Sequence, residues 1–384
     1  MSSYLANPAC ETDRPVPWKM RGDLQASKQM YQGKEYWVLK DPLALAYFRF
    51  AEEEYALLKL LDGRRTLGEI QQAFEKSYLS QQVTLDELKL FIANLEQQGL
   101  LTGGPPGQGK KLYERGQAKQ TQAKLGAAFN PLAVRFPGID PERFLQAAYP
   151  WIRGVFHPVC MACALLLILS AALLITVEFH VFQAKLPDLQ RFFTPENIGW
   201  LAVMLAATKV LHELGHAFTA KHFGGECHEM GVMLLMFTPC LYCNVSDTWM
   251  SRNKWQRAAV AAAGMVVELT MAAAATWLWW FSQPGLFNHL CLNVMFIGGV
   301  NAVLLNGNPL LRYDGYYILS DLLEIPNLRQ KASETLKRLL GTWMLGLPAT
   351  PDPFLPQRQR WAFAVYAVAS GVYRWFITFS ILWF

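Results

Sequence analysis

The chain has 384 residues, 52% of them apolar and 17% charged, with a formal net charge of +5. That length leaves room for two or three domains, and so high an apolar content in one part of the chain excludes a simple soluble protein. No basic stripe interleaves with aromatics, which excludes a nucleic-acid partner, and seven cysteines without a framework spacing point to thiols, not a disulfide scaffold.

Met1 to Lys19 is polar, carries Pro8, Pro15 and Pro17, and has no apolar core of signal-peptide length. Residues 1–20 are therefore expected to be a flexible arm in the cytoplasm. Residues 21–101 predict a small α+β domain. Tyr36-Trp37-Val38-Leu39 is a strand candidate closed by Asp41-Pro42, and Ala46-Tyr47-Phe48 is a second apolar patch. Glu52-Glu53-Glu54 suits a helix N-terminus, with Tyr55, Leu57, Leu58 and Leu61 behind it. Thr66-Leu67-Gly68-Glu69 and Thr84-Leu85-Asp86-Glu87 are capping boxes for two further helices, the second ending at Gly99. This order of strands, three helices and a final Leu100-Leu101 resembles the PqqD-like peptide-recognition domain, a small winged-helix fold. The resemblance implies that a leader peptide adds as a strand to a sheet edge. A winged helix that only packs against its own protein is the bland alternative.

A linker, Gly103 to Gly109, precedes a basic run through Lys110, Lys111, Arg115, Lys119 and Lys124. Phe144, Leu145, Tyr149, Trp151 and Phe156, with Arg143 and Arg153, predict an interfacial helix, completing a connection over 102–157. Residues 158–384 then read as a membrane domain. Five spans are expected: Val159 to Val177, Ile198 to Phe218, Ala258 to Phe281, Leu286 to Leu305 and Trp361 to Phe384. Each is long enough for a hydrocarbon core of about 30 Å. Cationic residues cluster before the first span, between the second and third, and between the fourth and fifth. By the positive-inside rule the N-terminal domain and the exit of the second span face the cytoplasm. The stretch Gly231 to Cys243 is apolar but too short to span and is interrupted by Pro239, which suits a re-entrant loop or an edge hairpin. Leu382-Trp383-Phe384 ends the chain in apolar sequence, so either the fifth helix is the terminus or the protein has been cut short.

His212-Glu213-Leu214-Gly215-His216 lies inside the second span. Residues four apart on a helix lie above one another, so His212 and His216 can point two imidazoles at one metal ion, and Glu213 can take a proton from its water. On a soluble helix such a motif can be silent. Here silence would also have to explain an acid and two histidines in apolar surroundings, where ionisable groups are costly. A catalytic zinc needs a third protein ligand. The best candidate is Asp314, in Asn308-Pro309-Leu310-Leu311-Arg312-Tyr313-Asp314-Gly315, where Gly307 and Pro309 break the end of the fourth span.

A membrane HExxH followed by Asn-Pro…Asp-Gly resembles the site-2 protease family of intramembrane zinc metalloproteases, over roughly 150–325. The wording around Asp314, joined to a PqqD-like N-terminus, is most similar to the bacterial peptide zinc metalloproteases. The resemblance implies a Zn2+ cofactor on His212, His216 and Asp314, and a bacterial inner-membrane location. Many members accompany peptide-modification or export systems, so export or efflux subunits are expected partners beside the lipid bilayer. The family's Gly-Pro…Asn motif is missing: Ala263-Gly264-Met265-Val266-Val267-Glu268 stands in its place. Glu268 is read as either a partner of a zinc histidine or a packing group. Asn301, Asn306 and Asn308 are candidate substrate clamps and Asp247 a candidate supporting group. Cys240/Cys243 and Cys160/Cys163 have CxxC spacing, while His222 and His228 lie off the metal stripe.

The expected fold is an α-helical polytopic membrane protein with an N-terminal α+β winged-helix-like domain. Its expected activity is hydrolysis of a peptide or membrane-protein substrate, with Glu213 as the base. Two rival readings are a non-proteolytic component of an export or efflux assembly with a structural zinc, and a membrane-tethered peptide chaperone.

Overall fold

The computed structural model describes residues 15–31, 34–79, 82–103, 133–136, 138–187, 194–235, 238–325, 327–346 and 360–383. The basic run at 110–124 lies outside them. The chain divides into two compact units, one within residues 1–136, 233–240 and 249–252, the other within 137–232, 241–248 and 253–384.

The first unit is α+β. Strands β1 (Lys19–Met20), β2 (Gln25–Tyr31), β3 (Lys34–Asp41) and β4 (Ala46–Ala51) precede helices α1 (Glu52–Leu60), α2 (Leu67–Ser77) and α3 (Leu85–Gln98), then β5 (Leu101–Thr102). β2, β3 and β4 form an antiparallel sheet with β3 central, and β5 returns to pair with β1. Side chains alternate across a strand. Leu39 and Phe50 therefore enter a core with Leu58, Ile70, Phe74, Leu88 and Leu95, which the three helices bring from their apolar stripes. Both predicted capping boxes form: Thr66 accepts from Glu69 N–H and Thr84 from Glu87 N–H, satisfying helix ends that have no internal partner. The opposite sheet face carries Ser27 and Gln29, whose side chains donate to the carbonyls of Met250 and Trp249.

The expectation of a flexible arm over 1–20 fails at its end. Val16 is buried in this core, Trp18 packs against it, and β1 is paired to β5. Removing these two apolar side chains from water favours docking of the segment. A further strand, β6 (Ala133–Arg135), pairs antiparallel with residues 233–235.

The second unit is helical. It holds α4 (Glu142–Ile152), α5 (Pro158–Val177), α6 (Phe179–Lys185), α7 (Pro195–His222), α8 (Lys254–Phe281), α9 (Leu286–Val300), a π-helical stretch (Asn301–Asn306), α10 (Asp314–Leu322), α11 (Leu328–Leu345) and α12 (Arg360–Trp383). Between α7 and α8 run β7 (Met230–Leu235) and β8 (Thr238–Cys243), the hairpin reading of that apolar stretch. Five helices are long and apolar enough to cross a membrane: Pro158–Val177, Asn197–His222, Lys254–Phe281, Leu286–Asn306 and Trp361–Ser380.

Their packing is the reverse of a soluble core. Leu166, Val203 and Val365 are exposed, whereas Thr208, Glu268, Asn293 and Ser370 are buried. In lipid, outward apolar groups cost nothing and polar groups must find partners inside. Asn293 accordingly donates to Asn197 at 3.1 Å, and Ser370 to the Leu310 carbonyl at 2.9 Å. α8 packs against α5, α7, α9 and α10, and its buried face includes Ala263, Gly264, Ala272, Ala273 and Ala275, small residues that let helices approach closely.

Candidate metal centre

His212 and His216 lie in the last three turns of α7, on one buried face, 4% and 7% exposed. Their Nε2 atoms are 3.1 Å apart. His216 Nδ1 meets the Val260 carbonyl at 2.7 Å, a contact that fixes the proton on Nδ1 and leaves Nε2 with its lone pair.

Asp314 arrives from the other side as the first residue of α10. The fourth span ends in the π stretch, Gly307 N–H donates to Ala302 O at 2.8 Å, and Asn308 Oδ1 accepts Leu310 N–H, so the chain turns before Asp314. Gly315 is needed at this turn because a Cβ there would lie 2.5 Å from the Gly307 carbonyl. Two ion pairs then tie α10 and the turn after it to the start of α8: Arg257 Nε to Asp321 Oδ1 at 3.0 Å and Lys254 Nζ to Glu324 Oε1 at 3.1 Å.

Asp314 Oδ2 stands 3.2 Å from His212 Nε2 and 3.5 Å from His216 Nε2, yet it is buried and makes no hydrogen bond. These three atoms form the group able to hold a metal ion among the described residues. Tetrahedral ligands roughly 2.0–2.1 Å from zinc lie about 3.3 Å from one another. The observed 3.1, 3.2 and 3.5 Å bracket that value. Two nitrogens and one oxygen also suit zinc chemically. Space on the α8 side is reserved too. A Cβ at Gly264 would lie 2.5 Å from His212 Nε2 and from His216 Nε2.

Glu268 lies behind His212 and among polar neighbours. It is fully buried, its Oε1 lies 3.2 Å from His212 Nδ1 and 2.9 Å from Lys209 Nζ, and it accepts from Asn301 at 2.7 Å and Asn306 at 3.1 Å. Asn301 and Asn306 are thus turned onto Glu268, not toward a substrate, because a buried carboxylate needs donors more than a hydrated cleft does. Asn308 is spent on its own turn. Asp247 accepts Glu226 N–H at 2.8 Å, at the reversal after α7. His222 stacks on Phe156 at 4.3 Å and meets the Tyr149 hydroxyl, and His228 lies between Asp140 and Glu226. Glu213 is half-buried, one residue after His212. Cys160 and Cys163 are exposed on α5, away from any metal group among the described residues.

The helical core, with five helices long and apolar enough to cross a membrane, thus gathers the two histidines of an HExxH motif with an aspartate, a donor set able to hold a metal ion. Residues 200–291 match peptidase family M50, the family of the site-2 proteases. The matched segment contains His212, Glu213, His216, Gly264 and Glu268 but stops short of Asp314, which therefore rests on geometry. The chain is also similar to YydH of Bacillus subtilis (strain 168), named as a candidate peptide zinc metalloprotease, with 27% identity over 154 residues. That match covers 38% of this chain and 59% of YydH, so the chain spans less than two thirds of that relative. No solved structure matches.

Proposed function

We propose that this protein is an intramembrane zinc metalloprotease that cleaves membrane-associated or leader-bearing peptides, with His212, His216 and Asp314 holding zinc and Glu213 as general base. The observation that carries the reading is Asp314 Oδ2, buried without a hydrogen bond between two imidazole Nε2 atoms. When bound, zinc supplies a polarised carbonyl and a water acidic enough to ionise near neutral pH. Glu213 takes the proton of the attacking water and gives it to the leaving amine nitrogen. Val260 O and Glu268, behind the two imidazoles, hold the rings in place and keep them basic. The apolar walls restrict the substrate to segments that unwind, since an intact helix hides its amides.

The N-terminal unit acts as a PqqD-like module that holds a leader peptide as an added strand. Its three-stranded sheet and three helices support this reading. Clustered cations support a bacterial inner-membrane protein with this unit in the cytoplasm, working beside export or efflux subunits.

The test is the zinc content of purified full-length protein. Wild type and Glu213→Gln are expected to hold one equivalent, His216→Ala to lose it, and Asp314→Ala to hold it weakly. Glu213→Gln is expected to lower peptide cleavage by about 10²–10⁴-fold. Full zinc in both alanine variants, or undiminished cleavage in Glu213→Gln, overturns the assignment.

A further inference from the structure

A second site, built from two cysteines, lies against the same helix. After α7 the chain reverses: Gly225 N–H donates to Ala220 O at 2.9 Å and Glu226 N–H to Asp247. This brings Cys227 back onto the helix end, where it is 1% exposed and packs with Leu145, Ala217 and Phe218. Its N–H is held by Glu142 Oε2 at 3.0 Å. Cys243, the last residue of β8, meets it with Sγ to Sγ at 3.3 Å and packs on the same cluster, as does Leu214 from inside the HExxH motif.

The CxxC spacing points to a different pair, and strand geometry rejects it. Cys240 and Cys243 are three apart on a strand, an odd step, so their side chains leave opposite faces. Cys227 is sixteen residues before Cys243 and no spacing rule joins them.

We propose that Cys227 and Cys243 form a reversible dithiol–disulfide site, oxidised by hydroperoxides, that ties the end of β8 to the loop leaving the histidine-bearing helix. A disulfide needs an S–S distance near 2.05 Å, so the sulfurs must close by roughly 1.3 Å. Cys243 is the partly exposed member and meets the peroxide first; its sulfur attacks the O–O bond as its thiol proton passes to the displaced oxygen. The S–O bond forms, O–O breaks, and the displaced oxygen leaves as an alcohol or water. Cys227 then attacks the Cys243 sulfenic acid, the S–S bond forms, and the hydroxyl leaves with the thiol proton as water. Two thiols lose two electrons and one peroxide gains them. In a reducing compartment such pairs persist as thiols and respond to oxidants, which is how cytosolic disulfides are normally used.

The experiment titrates purified full-length protein in nanodiscs with hydrogen peroxide, alkylates the remaining thiols, digests, and maps disulfides by mass spectrometry. Expected is a peptide pair joined through Cys227 and Cys243 that dithiothreitol releases, while Cys160, Cys163 and Cys291 stay alkylatable. The link is expected to persist in Cys240→Ser. Recovery of Cys227 and Cys243 as alkylated thiols at a peroxide dose that oxidises the exposed cysteines overturns the proposal. A link from Cys243 to Cys240 overturns it as well, and both outcomes are read on the wild-type chain.

Discussion

In the N-terminal unit Leu39 is wholly buried, and Arg21 is held by the exposed Asp23, the buried Asp41 and the Gly99 carbonyl. In the membrane unit Leu166 is 65% exposed and Glu268 is wholly buried, with Lys209, Asn301 and Asn306 donating to it and His212 Nδ1 beside it. The apolar class has changed sides, whereas a buried carboxylate takes partners in both units, Asp41 from Arg21 and Glu268 from a larger set. Water rewards the burial of apolar surface, whereas lipid is indifferent to it and penalises every polar group without a partner. Stability in the first unit therefore resides in leucines and phenylalanines, and in the second it draws on the polar network behind the candidate metal ligand His212.

The comparison can be broken at several points. The largest effect is expected for Glu268→Leu, which leaves Lys209, Asn301 and Asn306 without their acceptor. Breaking such a buried pair costs about 3–5 kcal/mol, and removing the group behind a ligating histidine weakens metal about 10–100-fold. Thermal unfolding and zinc affinity in detergent read both, and Glu268→Gln is expected to recover part of the stability through Asn301 and Asn306. Next, Leu39→Ala is expected to cost about 2–5 kcal/mol in the N-terminal unit, because it leaves a cavity in a packed core. A change within error would mean that this unit is not held by its apolar interior.

A smaller effect depends on pH. Glu142 accepts from Lys221, Cys227 N–H and Gln146. Burial pushes its carboxyl up, but the Lys221 ammonium and these hydrogen bonds outweigh it and hold the group below the ordinary glutamate range. A depressed carboxyl contributes stability above its unfolded pKa and loses it as pH falls through the folded one. Glu142→Gln should thus lower the melting temperature at neutral pH, and the two proteins should converge as the solution is acidified below the usual glutamate value. A gap that stays constant at low pH would contradict the ionised assignment. The smallest change, within about 0.5 kcal/mol, is expected for Leu166→Ala on the lipid-facing side of α5; a loss as large as that of Leu39→Ala would erase the contrast.

Much of this was legible from local chemistry. Thr66, Glu69, Thr84 and Glu87 announced two helices because caps act over three residues, and His212 and His216 shared a face because helical spacing is local. Asp314 was readable from the break around it. Other features depend on contacts that spacing does not encode. Gly264 looked like one small residue among alanines, and only the approach of α8 to both imidazoles shows that nothing larger fits. Asn301 and Asn306 read as substrate groups because their acceptor, Glu268, lies on another helix. The CxxC spacing pairs Cys243 with Cys240, but on strand β8 an odd step separates their faces and the chain reversal brings Cys227 to Cys243 instead. Val16 and Trp18 were hidden by the prolines around them.

The π stretch at Asn301–Asn306 has a consequence for what changes this gene can absorb. On an α-helix residues five apart diverge by about 140°, at 100° per residue. The wider i→i+5 turn lets Asn301 and Asn306 both reach Glu268. The fourth span therefore carries one residue beyond a regular helical phase. Deleting a residue there would restore regular phase and swing everything downstream, Asp314 included, around the axis. Substitutions in this stretch should be far better tolerated than any single-codon insertion or deletion.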